Sequence, residues 1–461
     1  MLPGTDERDH SWGAVGVSLV SCGLLIALLT VIGADLMWLV ASGDDVRRTG
    51  ALPDGVPFAA APSEGWPPLL VAAEVALSLI HELGLAGVLV WHFLAVIGTL
   101  VIVALDARRR GATDLSSALT LAVLVLGGAA TFAVVRLQTF SLIPFVLTLL
   151  LVREQQHRPG RFMWLAPVLV AIWGNLHGSV LLGVCVIGAH LLFSRLPRRP
   201  VETIALGLAT LGALFLNPAT WRTPHYYRGV LENEAAARGE GLWAAPSLSN
   251  PFDLLMIVAA VVLGGLAVRR RLPLWEYVAV AGLMVATIIA GRNGIWLLLF
   301  LAPLSASARR RPVAVSEPSG RPSGRASVAV LVGLVVCAGV LAYRAQSMSQ
   351  ADQDLARDVA ELAPGSVILA PEPVVESLAV QGVRVWLSNP LDAFRAEDQS
   401  AYLDFMAGRP GMSVAVESSD AVLVQGGSAA DLVMAGLPGF DARDLDGSWV
   451  LYLRVPLGPE S

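Results

Sequence analysis

A series of long apolar runs constrains this chain more than any other feature. They lie near 12–33, 84–105, 114–135, 137–152, 162–175, 178–194, 201–216, 252–268, 273–290, 294–308 and 327–343, and most span roughly 15 to 22 residues, a length that matches the hydrocarbon thickness of a bilayer. They predict about eleven membrane-spanning helices. Composition agrees: of 461 residues 55% are apolar and only 15% are charged, with a mean hydropathy of +0.64, which lies outside the soluble globular range. A mainly α, polytopic membrane protein is expected, with membrane lipids among its partners and nucleic acid excluded from them. The three cysteines, Cys22, Cys185 and Cys337, fall inside apolar runs without metal-ligand spacing and read as packing residues.

All 32 basic residues are arginine, and their placement sets the orientation. Arg108–Arg110, the group Arg153, Arg158 and Arg161, the group Arg195, Arg198 and Arg199, Arg269–Arg271, and Arg309–Arg311 with Arg321 and Arg325 each follow an even-numbered run. Positively charged loops stay in the cytoplasm. The N-terminus is therefore expected inside, and the 33–83 loop, the 217–251 loop and the C-terminal tail outside the cytoplasmic (inner) membrane. Asp6, Glu7, Arg8 and Asp9 ahead of the first run give no basic leader, so that run is expected to be retained.

The chain divides accordingly into a membrane domain over 1–311 with the outer loop 33–83, a Pro/Ser/Gly/Arg cytoplasmic linker over 312–326, a last membrane helix over 327–345, and a small extracytoplasmic α/β domain over 346–461. The outer loop opens with Asp35 and Trp38, passes Pro57-Phe58 and Trp66-Pro67-Pro68, and ends in an amphipathic stretch, Leu69 to Ile80, that carries Glu74 and suits a helix lying in the interface. There Glu74 reads as the polar face. In the tail, Ser349 reads as the N-cap of a helix over Gln350–Leu362. Strand-like Val367–Leu369, Val383–Leu387, Ala421–Val424 and Trp449–Val455 alternate with helical Ala396–Ala407 and Ala429–Ala435, and Asp446-Gly447 reads as a hairpin turn. The tail holds no phosphate loop, metal cluster or nucleophile elbow, so binding or covering is expected of it rather than catalysis.

Chemistry should collect on the outer side. Arg136 and Arg292 sit almost without loop between apolar runs on the face where arginine is disfavoured, and a guanidinium fork suits phosphate oxygens. Asp35 follows the first run directly and could accept a proton from a hydroxyl or bind a divalent cation. The loop 218–250, with His225, Tyr226, Tyr227 and Trp243, is a second site region. His92 and His190, inside runs, read as interhelical hydrogen-bonders.

Four motifs appear in order: Asp35-x-x-Trp38 with Gly50, Pro53, Pro57-Phe58, Trp66 and Glu74; Arg136-x-Gln138-x-Phe140-Ser141; Trp173-x-Asn175-x-His177-Gly178-Ser179; and Asn217-Pro218-x-x-Trp221. Together they resemble the GT-C superfamily of integral membrane glycosyltransferases, which use polyprenyl-phosphate-linked sugars. The resemblance implies transfer of a sugar from a polyprenyl-phosphate donor to a glycan, lipid or protein acceptor on the outer face, with a divalent metal ion as a possible cofactor. With the outer-side placement of Arg292 and Asn293, it casts Asp35 as the catalytic base, Arg136 and Arg292 as donor-phosphate ligands, and Trp38, Trp66, Glu74, Gln138, Asn175, His177, Asn217 and Asn293 as substrate-binding residues. Pro68, Leu69 and Leu70 stand where a polar pair is common in that group, and Leu242 stands where an acidic residue is expected beside Trp243. A lipid or polysaccharide transporter or flippase, and a catalytically silent GT-C-like scaffold, are the alternatives.

Overall fold

The computed structural model describes residues 12–308, 324–445 and 449–455. The acidic N-terminal residues, Arg309–Arg311, linker positions 312–323 and the Asp446-Gly447 turn lie outside the described residues. The chain forms two compact units.

The first unit comprises Met1–Val31, Leu89–Asn217 and Gly241–Tyr343 and is helical. Each apolar run yields a helix, but several are interrupted. The 114–135 run breaks at Gly127-Gly128 into helices Asp114–Gly127 and Ala129–Ala133, and the 178–194 run passes from helix Val180–His190 into a π-turn at Leu191–Arg195. Among the described residues two helices, Gly84–Arg109 and the stretch Ser327–Leu362, are long and apolar enough to cross a membrane, and the shorter apolar helices have 10–17 residues. Asp114 ties two helices together, since its carboxylate accepts from Ala14 N at 2.9 Å and Val15 N at 3.0 Å at the start of helix Gly13–Leu29.

Helix Gly294–Ala306 is buried at every position and packs against helices Pro251–Ala267, Asp114–Gly127 and Leu274–Ile289. That explains a run too short to span with margin and apolar all round. Around it, helix Pro251–Ala267 buries Met256, Ala259 and Leu263 while exposing Leu254, Val258, Val261 and Val262. A helix apolar on both faces needs a hydrocarbon surrounding. Gly127 permits a close approach, because a Cβ there would lie 2.3 Å from the Ala259 Cβ.

Arg153 belongs to the basic groups that set orientation, yet it is 3% exposed and fully engaged. It donates to Asp106 at 2.8 Å, to Glu276 at 3.2 Å and to the Phe300 carbonyl at 2.8 Å, while Arg110 meets Asp106 at 3.0 Å. His92 bridges Thr139 at 2.8 Å and the Phe132 carbonyl at 3.0 Å, as expected. His190 does not follow the expectation: among the described residues neither ring nitrogen has a hydrogen-bond partner, and the ring packs edge-on against Trp275 at 5.2 Å. Aromatic packing replaces the polar contact there.

The second unit comprises Ile32–Val88, Pro218–Glu240 and Arg344–Ser461. Its sheet has the order Ile368–Leu369, Ala421–Gln425, Trp449–Arg454, Phe440–Leu445, with the first pair parallel and the others antiparallel. Residues 383–387, expected as a strand, make only isolated parallel bridges, Val385 to Ile368 and Val385 to Ala59. The first loop thereby extends the sheet: Ala60 N donates to the Val385 carbonyl and Ala61 N to the Trp386 carbonyl, each at 2.8 Å. Val56 and Ala61 are buried in one core with Trp386, Tyr402, Phe405 and Val422.

Ser349 is not an N-cap. It lies inside one continuous helix, Gly324–Leu362, where Gln353 Nε2 donates to its hydroxyl at 3.3 Å. No glycine or proline between Tyr343 and Gln350 stops the membrane helix from running on. The polar first loop likewise contains a helix, Met37–Thr49, closed by Gly50 in the left-handed region at φ 67°.

Candidate functional site

Asp35 lies on the turn that leads into helix Met37–Thr49. That helix starts at Leu36 with no side-chain cap of its own, which leaves backbone donors to be satisfied from elsewhere. Glu376, fully buried in helix Val374–Val380, supplies the acceptor: its Oε2 receives Leu36 N at 3.2 Å, Met37 N at 2.8 Å and Trp38 N at 3.3 Å. Asn389 Nδ2 donates to the other oxygen of Glu376 at 2.9 Å, to Glu372 Oε1 at 2.8 Å, and to the Ala34 carbonyl. The peptide bonds Glu372–Pro373 and Asn389–Pro390 are cis.

Three carboxylates therefore share one neighbourhood. Burial and the nearby Asp35 push Glu372 up to about 8, against the pull of the Asn389 donor. Burial and Glu372 push Glu376 up as well, while the Asn389 and Trp38 donors oppose the rise. Both oxygens of Glu376 face N–H groups, which favours its ionised form.

Aromatic residues flank the turn. Trp38 and Trp66 meet edge to face at 6.3 Å, and Trp66 meets Tyr226 of helix Thr223–Glu232 at 6.0 Å. Trp66 Nε1 donates to Asp392 Oδ2 at 2.9 Å, and burial pushes Asp392 up to about 6. Arg222 donates to the Gly65 carbonyl. Glu74 departs from its expected solvent-facing position: it is 1% exposed, its Oε2 has no hydrogen-bond partner among the described residues, and burial pushes it up to about 7. Gly43 makes that inward packing possible, because a Cβ there would stand 2.1 Å from the Glu74 carbonyl oxygen.

In the first unit, the Arg292 guanidinium lies 3.7 Å from the ring centroid of Trp243, and its carbonyl accepts from Gln138 Nε2 at 3.2 Å. Cation–π contact gives that guanidinium an aromatic partner. Arg136 Nε is buried with no hydrogen-bond partner among the described residues. His177 Nδ1 receives Ser179 N at 3.0 Å and lies 2.8 Å from the Ser179 hydroxyl, which donates to Ser141 at 2.8 Å; Trp173 Nε1 donates to that same Ser141 at 2.7 Å. This chain joins residues of the second and third motifs. Three amides bind main chain: Asn175 to the Ala171 and Leu216 carbonyls, Asn217 to Leu214 and Asn293 to Ala286.

The carboxylates fit a resident divalent ion poorly, since Glu376 is wrapped by N–H donors and the Asn389 nitrogen faces Glu372. Among the described residues no group of three or more His, Cys, Asp or Glu is arranged to hold a metal.

Sequence reasoning located Asp35, Trp38 and Trp66 but passed over Glu372, Glu376, Asn389 and Asp392. A signal existed in Pro371-Glu372-Pro373-Val374-Val375-Glu376, where two carboxylates stand one helical turn apart, and in Asn389-Pro390. Nothing local ties either to a loop more than 330 residues earlier.

Neither a protein-family model nor a curated protein matches the sequence. Solved structures do match. The chain is similar to ArnT from Cupriavidus metallidurans bound to undecaprenyl phosphate, with a TM-score of 0.54 and 12% identity over 97% of this chain and 98% of that one. It is also similar to the arabinofuranosyltransferase AftD from mycobacteria, with a TM-score of 0.50 and 18% identity over 98% of this chain, which spans 41% of AftD. At such identities the likeness concerns the fold.

Proposed function

We propose that this chain, which has the fold of the GT-C superfamily of integral membrane glycosyltransferases, moves a sugar from a polyprenyl-phosphate donor to an acceptor on the outer face of the cytoplasmic membrane. The observation that carries the reading is the Asp35 turn: a carboxylate beside the buried Glu376, the half-buried Glu372 and the Trp38–Trp66 pair, at the start of a helix capped by Glu376. On this reading the apolar runs cross the membrane about eleven times, the N-terminus is inside, and residues 346–461 are outside with the 33–83 loop. The Arg clusters after even-numbered runs support that orientation.

In the reaction Asp35 takes the proton of an acceptor hydroxyl as its oxygen attacks the anomeric carbon of the donor sugar. The bond from that carbon to the phosphate oxygen breaks, and its electron pair leaves with the phosphate. Arg136 and Arg292 hold the departing phosphate, which is already ionised, so no general acid is required. One similar structure holds undecaprenyl phosphate, which supports that lipid class as the carrier. The acceptor is a glycan, lipid or protein hydroxyl.

Native mass spectrometry of the purified protein with undecaprenyl phosphate, in competition with phosphatidylglycerol, tests the donor side. Preferential retention of undecaprenyl phosphate by the wild type, lost in the Arg136→Gln, Arg292→Gln double variant, is the expected result. Equal retention by both proteins would remove the arginines from the phosphate site.

A further inference from the structure

The Asp35 turn is built by two parts of the sequence, and the later part supplies what the earlier part lacks. Helix Met37–Thr49 begins with no capping side chain, and its first donors, Leu36 N, Met37 N and Trp38 N, converge on one carboxylate oxygen that belongs to a residue 338 to 340 positions away. A carboxylate at a helix start is favoured by both the orphan N–H groups and the helix dipole. The same carboxylate receives Asn389, whose amide also holds the Ala34 carbonyl on the other side of Asp35. Residues 34 and 36 to 38 are thus both tied to one Glu376–Asn389 pair, with Asp35 between them.

We propose that Glu376 is a positioning residue for the transfer reaction, holding the main chain on either side of Asp35, directly and through Asn389, so that its carboxylate meets the acceptor hydroxyl. The inference rests on Asp35 being the base, and it gives the C-terminal segment a part in the active site beyond covering it. Tyr402 closes the neighbourhood from helix Ala396–Met406, donating to the Ala370 carbonyl at 3.0 Å. Asp35, Glu372 and Tyr402 are the titratable groups around Glu376.

Two measurements on the full-length protein in nanodiscs test this, using Glu376→Ala, Glu376→Gln and Asp35→Asn. The first is amide hydrogen exchange in a peptide covering Leu36 to Trp38. Protection should fall in Glu376→Ala and persist in Glu376→Gln, whose amide oxygen still accepts. The second is release of undecaprenyl phosphate from a panel of undecaprenyl-phosphate-linked sugars. Glu376→Ala should lose on the order of 100-fold in kcat, the cost of misplacing a reacting group by about an ångström, with KM for the donor little changed, and Glu376→Gln should recover most of the loss. Unchanged exchange in Glu376→Ala, or a Glu376→Gln variant as slow as Glu376→Ala, would overturn the positioning role. If Asp35→Asn is inactive while Glu376→Ala turns over normally, the positioning inference falls and the reading of Asp35 stands. If Asp35→Asn is fully active, the reading itself fails, whatever Glu376 does.

Discussion

Glu372 is one of the residues whose protonation couples this fold to pH. Its folded-state value near 8 lies above the ordinary 4.5, so the folded protein binds a proton that the unfolded chain has released between those values. Stability from this group is complete below about pH 4.5 and is lost as pH rises through 8. Glu372→Gln keeps the shape and removes the titration. Thermal unfolding followed from pH 5 to 9 should show the wild-type Tm falling across that window and the variant's falling less. Parallel curves would show that Glu372 is already ionised at neutral pH. What the sequence could and could not reveal divides at this scale too. Asp35 and the tryptophans stood out because a carboxylate and aromatic rings directly after an apolar run are conspicuous. Glu376 resembled any helix-face glutamate, since its role exists only once Leu36, Met37 and Trp38 are brought to it.

At the scale of elements, the apolar runs located the helices, and their interruptions escaped because periodicity cannot register them. A break at Gly127-Gly128 and a π-turn at Leu191–Arg195 are decided by packing against neighbours, with Gly127 pressed on Ala259. The continuous helix through Ser349 escaped for the opposite reason, since a composition change resembles a boundary even where no residue stops the helix. Charge gave a second lesson. Arg153 counted as a cytoplasmic marker is also the centre of a buried cluster with Asp106 and Glu276. Arg153→Met should therefore cost about 3–5 kcal/mol, because it strips the buried Glu276 of its arginine and leaves Asp106 with Arg110 alone. Converting Asp106 to Asn and Glu276 to Gln in the same protein should recover most of that loss in thermal unfolding. No recovery would place the cost in lost packing against Phe300.

For the whole molecule, the structure groups segments that the sequence keeps far apart. The unit that carries Asp35 draws on Ile32–Val88, Pro218–Glu240 and Arg344–Ser461, and Val56 and Ala61 complete a core around Trp386 and Tyr402. A fragment spanning 344–461 should consequently expose apolar surface and fold poorly. Its amides should exchange fast in isolation and slow down when a peptide covering 50–66 is supplied. A fragment as protected alone as in the full protein would mean that the first loop adds nothing to its stability.

The central claim is that Asp35 drives sugar transfer from a polyprenyl phosphate at the outer face. The measurement that bears on it most directly is donor consumption by right-side-out proteoliposomes holding undecaprenyl-phosphate-linked sugar in the outer leaflet, with wild-type protein and with Asp35→Asn compared at equal insertion. The account predicts release of undecaprenyl phosphate by the wild type and a loss of at least about 100-fold in Asp35→Asn, the scale of an essential general base. Equal release by both proteins would contradict it.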